Sequence, residues 1–257
     1  MLVDSHCHLD RLDLFGDAVD LDAVLASARG RGVSAFLAIG VDLTSSAKLI
    51  ALAAEHADIF VSVGAHPLQD LAIAAPGVDE LVSLARHPKV VAIGETGLDY
   101  HYAPESASWQ RDSFINHLRA GRAAAVPVVV HTRDARDDTL ALIEEYGCRE
   151  RGGVLHCFTE TREMARAALD LNYYISFSGI ITFRNAAELR EVVSYVPLDR
   201  MLVETDAPWL APVPYRGQPN VPGHVLEVAK KVSEIKKLPL ERVAEATTAN
   251  FHRLFQL

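Results

Sequence analysis

Short runs of β-branched and other apolar residues alternate with stretches of helical spacing along the whole chain. That is the pattern of a parallel sheet whose strands are joined by crossover helices. The runs predict strands at Leu2–His8, Ala35–Ile39, Phe60–Ala65, Val90–Glu95, Val128–His131, Val154–His156, Tyr174–Ser178 and Met201–Asp206. Several are continuously apolar, as strands covered on both faces should be. Between them Val24, Leu25 and Ala28, then Leu49, Ile50 and Ala53, then Leu140, Ile143 and Tyr146 recur at helical spacing. Gly30 with Gly32, the Gly152-Gly153 pair, Pro127 and Pro197 punctuate the returns from helix to strand. Asp134 is placed to cap the helix after His131. A proline-rich loop from Pro208 to Pro222 leads to terminal helices near Val225–Lys236 and Leu240–Leu254.

Nothing divides the chain: it has no low-complexity linker, charge run or short-period repeat. Eight strands in 257 residues therefore predict an α/β fold of one domain over residues 1–257, a (β/α)8 TIM barrel. Such barrels typically need about 250 residues.

Composition narrows the class without naming a chemistry. Hydrophobic residues make up 49% of the chain and charged residues 23%, an ordinary globular balance. No apolar run approaches the roughly 18 residues of a membrane span, and the first residues lack the basic start of a secretory signal. Three cysteines, Cys7, Cys148 and Cys157, form no CxxC pair and leave an odd thiol, so a reducing cytoplasm is expected. The formal net charge of -9 argues against a surface that binds nucleic acid everywhere. A local metal-filled cleft that accepts phosphates is compatible with it.

The candidate chemistry lies at the strand ends. His6 and His8 flank Cys7, so on a strand both imidazoles share one face and Cys7 takes the other. Glu95, His131, His156 and Asp206 end later strands. In a TIM barrel all of these converge on the C-terminal mouth, where active sites are built. A lone strand-end histidine is usually structural, but this set is a ligand set for divalent cations. Glu204 shares a face with Asp206 and reads as an orienting partner, or else as a ligand for a further ion. His66 points into the same mouth, as a substrate contact, a ligand for an extra ion, or a structural group. Arg133 and Arg216 are candidate phosphate clamps, since a guanidinium offers a planar fork. Tyr102 and Trp209 could stack bases. Cys7 and Cys157 are expected to face away from the ions as small buried hydrophobes. His56, His87, His117 and His252 are expected to take no part in catalysis.

Six motifs carry these residues: Asp4-Ser5-His6-Cys7-His8-Leu9-Asp10, Gly64-Ala65-His66-Pro67, Gly94-Glu95-Thr96-Gly97-Leu98-Asp99-Tyr100, His131-Thr132-Arg133, His156-Cys157-Phe158 and Glu204-Thr205-Asp206-Ala207-Pro208. Pro214-Tyr215-Arg216-Gly217 with Asn220 follows them. In order and spacing the chain resembles the TatD family of metal-dependent hydrolases, in the amidohydrolase-like barrel superfamily. The resemblance implies a centre of two divalent cations, with His6, His8 and Asp206 on one, His131 and His156 on the other, and Glu95 bridging. Mixed imidazole and carboxylate ligands suit Zn, Mn or Fe and suit Mg less well. The cofactor expected is two divalent cations, Zn, Mn or Mg, with the identity open. A carboxylate beside the attacking water can take its proton, and Asp206 is the candidate.

The function implied is a deoxyribonuclease of exonuclease type that hydrolyses nucleic acid with a metal-activated hydroxide. The alternative is a hydrolase of a carbonyl substrate, whether ester, amide, lactone or misacylated tRNA. A non-catalytic metal-binding scaffold is a third reading. Protein partners and oligomeric state are left open.

Overall fold

Each apolar run pairs in parallel with the next, giving one eight-stranded sheet in the order β1 to β8. The computed structural model describes residues 1–13, 19–70 and 72–257. The strands are β1 Leu2–Cys7, β2 Val33–Ile39, β3 Ile59–Val63, β4 Val90–Asp99, β5 Val128–Arg133, β6 Gly153–Leu155, β7 Tyr173–Phe177 and β8 Met201–Val203. The helices are α1 Leu21–Gly30, α2 Leu43–Glu55, α3 Val78–Ala85, α4 Ala107–Ala124, α5 Arg136–Tyr146, α6 Arg162–Asp170, α7 Ala187–Tyr195, α8 Val225–Lys236 and α9 Leu240–Phe255. The last strand returns to the first through a parallel bridge between Cys7 and Ala207. There the Asp206 N–H donates to His6 O (2.9 Å) and the His8 N–H to Ala207 O (2.8 Å). The predicted single-domain (β/α)8 barrel is thus the observed fold.

The core has two parts. One cluster takes residues from nearly the whole circle of strands, among them Val3, Leu37, Val91, Val129, Val154, Tyr174 and Leu202, so it fills the barrel. Phe251, Leu254 and Phe255 of α9 join it and close the bottom. The other cluster, with Phe36, Val61, Val130, Ile175 and Val203, lies between strands and helices. Phe251 is fully buried and its ring meets Phe60 and Phe255. Phe251→Ala should cost about 3–5 kcal/mol, as large-to-small changes of buried aromatics do. Urea unfolding would measure this, and a loss under 1 kcal/mol, well below that roughly 3 kcal/mol floor, would deny α9 its role as the plug.

Side-chain alternation along the strands aims most of the site. Val129, Val154 and Leu202 point inward, so the next inward positions are His131, His156 and Glu204. β1 and β4 break this rule. Strict alternation from inward Val3 would turn His6 and His8 outward. A register shift between Asp4 and Cys7 reverses the parity, so Cys7 joins Leu2 outside and both histidines enter the barrel. β4 has a shift between Ile93 and Thr96, which turns Glu95 inward although Ile93 faces out. Such bulges re-aim side chains near active sites.

Two local expectations are corrected. β4 and β5 run past Glu95 and His131, whereas β6 and β8 stop before His156 and Asp206. The cause is left-handed backbone at Cys157 (φ 43°) and Asp206 (φ 58°), which leaves the ladder. Asp134 does not cap α5, which begins after Ala135 without a side-chain cap. Asp134 is itself left-handed (φ 53°), and its carboxylate instead meets His101 Nδ1 at 2.9 Å.

Candidate metal centre

Glu95 stands at the middle of the mouth and is almost fully buried. Its Oε2 faces His6 Nε2 at 3.4 Å and His8 Nε2 at 3.9 Å. Its Oε1 faces His156 Nε2 at 2.7 Å, and His131 Nδ1 and His66 Nε2 at 3.4 Å each. Asp206 Oδ1 lies 3.3 Å from His8 Nε2 and 3.6 Å from His6 Nε2. The His6 and His156 rings stack with centroids 3.8 Å apart. All six sequence-predicted ligands therefore meet at one end of the barrel, together with His66.

Two of the imidazoles are oriented from behind by carboxylates. His131 Nε2 sits 3.1 Å from Asp99 Oδ2, which leaves Nδ1 toward Glu95. His156 Nδ1 sits 3.3 Å from Glu204 Oε1, which leaves Nε2 toward Glu95. Glu204 also accepts from the Cys157 N–H (2.8 Å) and from Ser176 Oγ, so its oxygens are occupied with aiming His156. Outer partners of this kind fix the tautomer of a metal-ligating histidine. His156 Nε2, despite its closeness to Glu95, has no hydrogen-bond partner among the described residues, and neither do His6 Nδ1 and His8 Nδ1. The His156 Nε2 beside Glu95, with the His6 and His8 Nε2 atoms turned to Glu95 and Asp206, makes a buried imidazole and carboxylate donor set that fits divalent cations of the Zn or Mn type.

His66 is different. The Leu68 N–H donates to its Nδ1 (3.1 Å), so the neutral ring carries its proton on Nε2, toward Glu95. In this tautomer His66 presents a donor to the mouth rather than a lone pair. Burial holds its pKa down to about 3 despite Glu95, so the ring is neutral.

Asp206 owes its place to a polar scaffold. Asp4, fully buried, accepts from the Thr205 N–H (2.8 Å) and Thr205 Oγ1 (2.6 Å). Asn220 Nδ2 donates to Thr205 O (2.9 Å) and Trp209 O (2.6 Å), holding the chain on both sides of the left-handed Asp206. Gly97 permits the closeness of β4 and β5: at φ 136°, a Cβ there would lie 2.0 Å from His131 O.

The electrostatics follow from burial and mutual charge. Burial works to raise the Glu95 carboxyl, but the His156 charge, with further contributions from His66 and His131, holds it well below the usual range. Burial works to lower His156, but Glu95 and Glu204 raise it well above 6.5. His131 is raised likewise, by Asp99 and Glu95 against burial. Asp206 is lowered, since hydrogen bonding to His8 and the His6 charge outweigh burial.

The signs fix a pH dependence for the metal-free protein. Stability from the depressed Glu95 is present above about pH 4.3 and is lost as pH falls through its folded value. Stability from the raised His156 is full below about pH 6.5 and is lost as pH rises through its folded value. The metal-free melting temperature should therefore decline above roughly pH 6.5. Cation binding needs neutral imidazoles, so stabilisation by added Mn or Zn should grow over the same range. Thermal melts with and without metal test both signs. A metal increment that shrinks with rising pH would remove the imidazoles from the ligand set.

The mouth opens into a cavity of about 520 Å³ lined by His8, Glu95, His131, His156 and Asp206, with Arg11, Gln69, Tyr102, Arg133 and Trp209 at its sides. Arg133 lines it as expected from the sequence. Arg216 does not: its guanidinium lies 3.8 Å over the Phe183 ring and donates to Ala211 O. Cys157 also departs from expectation, because its left-handed backbone turns it into the cavity wall beside Ser178 Oγ. Burial pushes its thiol well up, so it stays protonated. His117 is structural, accepting the Ala65 N–H at 2.9 Å beside His66. Sequence reading missed Asp99 and Arg11. Asp99 was discoverable, since Glu95, Gly97 and Asp99 alternate onto one face of the same strand.

A barrel whose mouth gathers buried imidazoles and carboxylates defines a metal-dependent hydrolase. The family model described as TatD related DNase matches residues 3–256, and the chain belongs to the TatD family. It is 51% identical over 256 residues to the uncharacterized metal-dependent hydrolase YcfH of Escherichia coli strain K12, covering 100% of this chain and 96% of that one. It is 35% identical over 241 residues to the 3'-5' ssDNA/RNA exonuclease TatD of Citrobacter koseri, covering 92% and 93%. Among solved structures, the TatD homologue YJJV from Escherichia coli K12 superposes with a TM-score of 0.91 at 28% identity, over 100% of this chain and 98% of that one. Among the described residues no helix is long and apolar enough to cross a membrane.

Proposed function

We propose that this protein is a two-metal phosphodiesterase that hydrolyses nucleic acid from an end, a deoxyribonuclease of exonuclease type. The observation that carries the reading is the division of Glu95, one oxygen toward His6 and His8 and the other toward His131 and His156. A carboxylate that splits its oxygens between two sets of imidazoles would be shared by two cations. His6, His8 and Asp206 would hold one cation, and His131 and His156 the other, with Zn, Mn and Mg the candidates. When bound, the pair would supply Lewis acidity at the phosphoryl oxygens and ease deprotonation of the attacking water.

The protein's own groups do the rest. Asp206 turns Oδ1 to His6 and His8, and Oδ2 takes the proton of the attacking water. The His66 Nε2–H donates to a non-bridging phosphoryl oxygen. The cavity falls within the roughly 300–1,000 Å³ of small-ligand sites, which suits a chain end rather than a long duplex. The name of the Citrobacter koseri relative, a 3'-5' ssDNA/RNA exonuclease, supports the same substrate class. Unpaired Cys7, Cys148 and Cys157 suit action in the cytoplasm.

The test is turnover by purified protein, stripped with chelator and reloaded with defined metals. End-labelled DNA and RNA oligomers would be set beside generic esters and aminoacyl-tRNA. Stepwise release of nucleotides from one end is expected. Turnover of esters alone would replace the reading with the carbonyl hydrolase, and metal uptake without turnover would leave a scaffold.

A further inference from the structure

We infer that Arg11 and Arg133 form a two-sided phosphate grip, holding the phosphates on opposite sides of the scissile one. The inference rests on the phosphodiesterase reading and names the path of the substrate across the mouth. Arg11 follows His8 at the end of β1, and Arg133 follows His131 at the end of β5. In a sheet of eight strands ordered one to eight and closed on itself, the first and fifth strands face each other across the barrel. Both residues line the metal cavity, so the centre lies between two strand ends that each carry an arginine.

Among the described residues Arg11 makes one long ion pair, Nη2 to Asp42 Oδ2 at 3.9 Å, while Asp42 Oδ1 accepts the Ser45 N–H (2.7 Å) as the cap of α2. The buried Arg11 Nε has no hydrogen-bond partner there. Arg133 forms no ion pair there and stands 4.9 Å over the exposed Tyr102 ring. A guanidinium held among the described residues by no more than one long ion pair can still offer its fork to a phosphate oxygen.

The neighbouring groove along α6 and α7 is less inviting to phosphates: it carries Glu163, Glu188 and Glu191 against Arg162, and its Arg136 is already paired with Glu160. On this reading a polyanion crosses from the β1 side to the β5 side. A net charge of -9 is no obstacle to two phosphates held this way.

Four dinucleotides decide it: one without terminal phosphate, one with a 5'-phosphate, one with a 3'-phosphate, and one with both. In the wild type each terminal phosphate should lower KM by about tenfold, the scale of a charge-assisted contact. Arg11→Ala should erase the gain from one terminal phosphate and leave the other, and Arg133→Ala should do the reverse. In both variants the dinucleotide without terminal phosphates should lose less in kcat/KM than those that carry them. Arg11→Lys should restore part of the gain, and binding to the metal-stripped protein by anisotropy gives the same pattern without turnover. Loss of the same gain in both variants, or of neither, would overturn the inference while the nuclease reading stands. A wild type that cleaves no oligonucleotide at all would instead sink the nuclease reading, and the grip with it.

Discussion

Asp206→Asn should leave the barrel folded and lower kcat by about 10²–10⁴-fold, the usual cost of losing a positioned proton acceptor. The amide fits the space of the carboxylate and keeps the left-handed turn, because asparagine tolerates that region as well as aspartate does. The scaffold around it, Asp4 on Thr205 and Asn220 on Thr205 and Trp209, does not involve the carboxylate. What is lost is a charge held below the ordinary carboxylate range, and so ionised throughout neutral pH. An interaction made chiefly in the transition state should lower kcat and kcat/KM together, with little change in KM. Circular dichroism and metal analysis would confirm a loaded, folded variant. A near-wild-type kcat at saturating metal would take Asp206 out of the mechanism.

How far the sequence alone reaches can be judged strand by strand. β5, β6 and β8 keep regular alternation, so the inward placement of His131, His156 and Glu204 follows from their apolar neighbours. The period-two rule suffices there because one face packs a core and the other packs helices. His6, His8 and Glu95 are legible only as motif residues, since register shifts in β1 and β4 reverse their parity. Shifts of this kind are set by pairing with neighbouring strands, which no local window records. The same limit applies to Asp134 and Cys157, whose positive φ values no periodic pattern announces. It also explains the exchange of Arg216 for Arg11. Arg216 sits in a loop whose path depends on Phe183, far away in sequence, whereas Arg11 lies three residues past a metal-centre histidine.

Glu95→Gln should act on metal content as well as on turnover, because on the two-metal reading its carboxylate divides between the two sets of imidazoles. Metal content should fall from two ions to one or none, and activity should fall by at least the 10²–10³-fold or so that removal of one pre-organised electrostatic group costs. Fold responds too: the Glu95 charge stabilises the metal-free protein above about pH 4.3, so the metal-free variant should melt below the wild type near neutral pH. A second readout is independent of turnover. His156 is raised chiefly by the Glu95 charge acting against burial, and in the variant burial should prevail. NMR titration of the metal-free protein should therefore show the His156 midpoint moving down, with His131 less affected because Asp99 still holds its Nε2. A downward shift with full metal content and activity retained would keep Glu95 as an electrostatic partner only. No shift at all would mean that the carboxylate does not face these rings in solution, and the two-metal reading would fall with it.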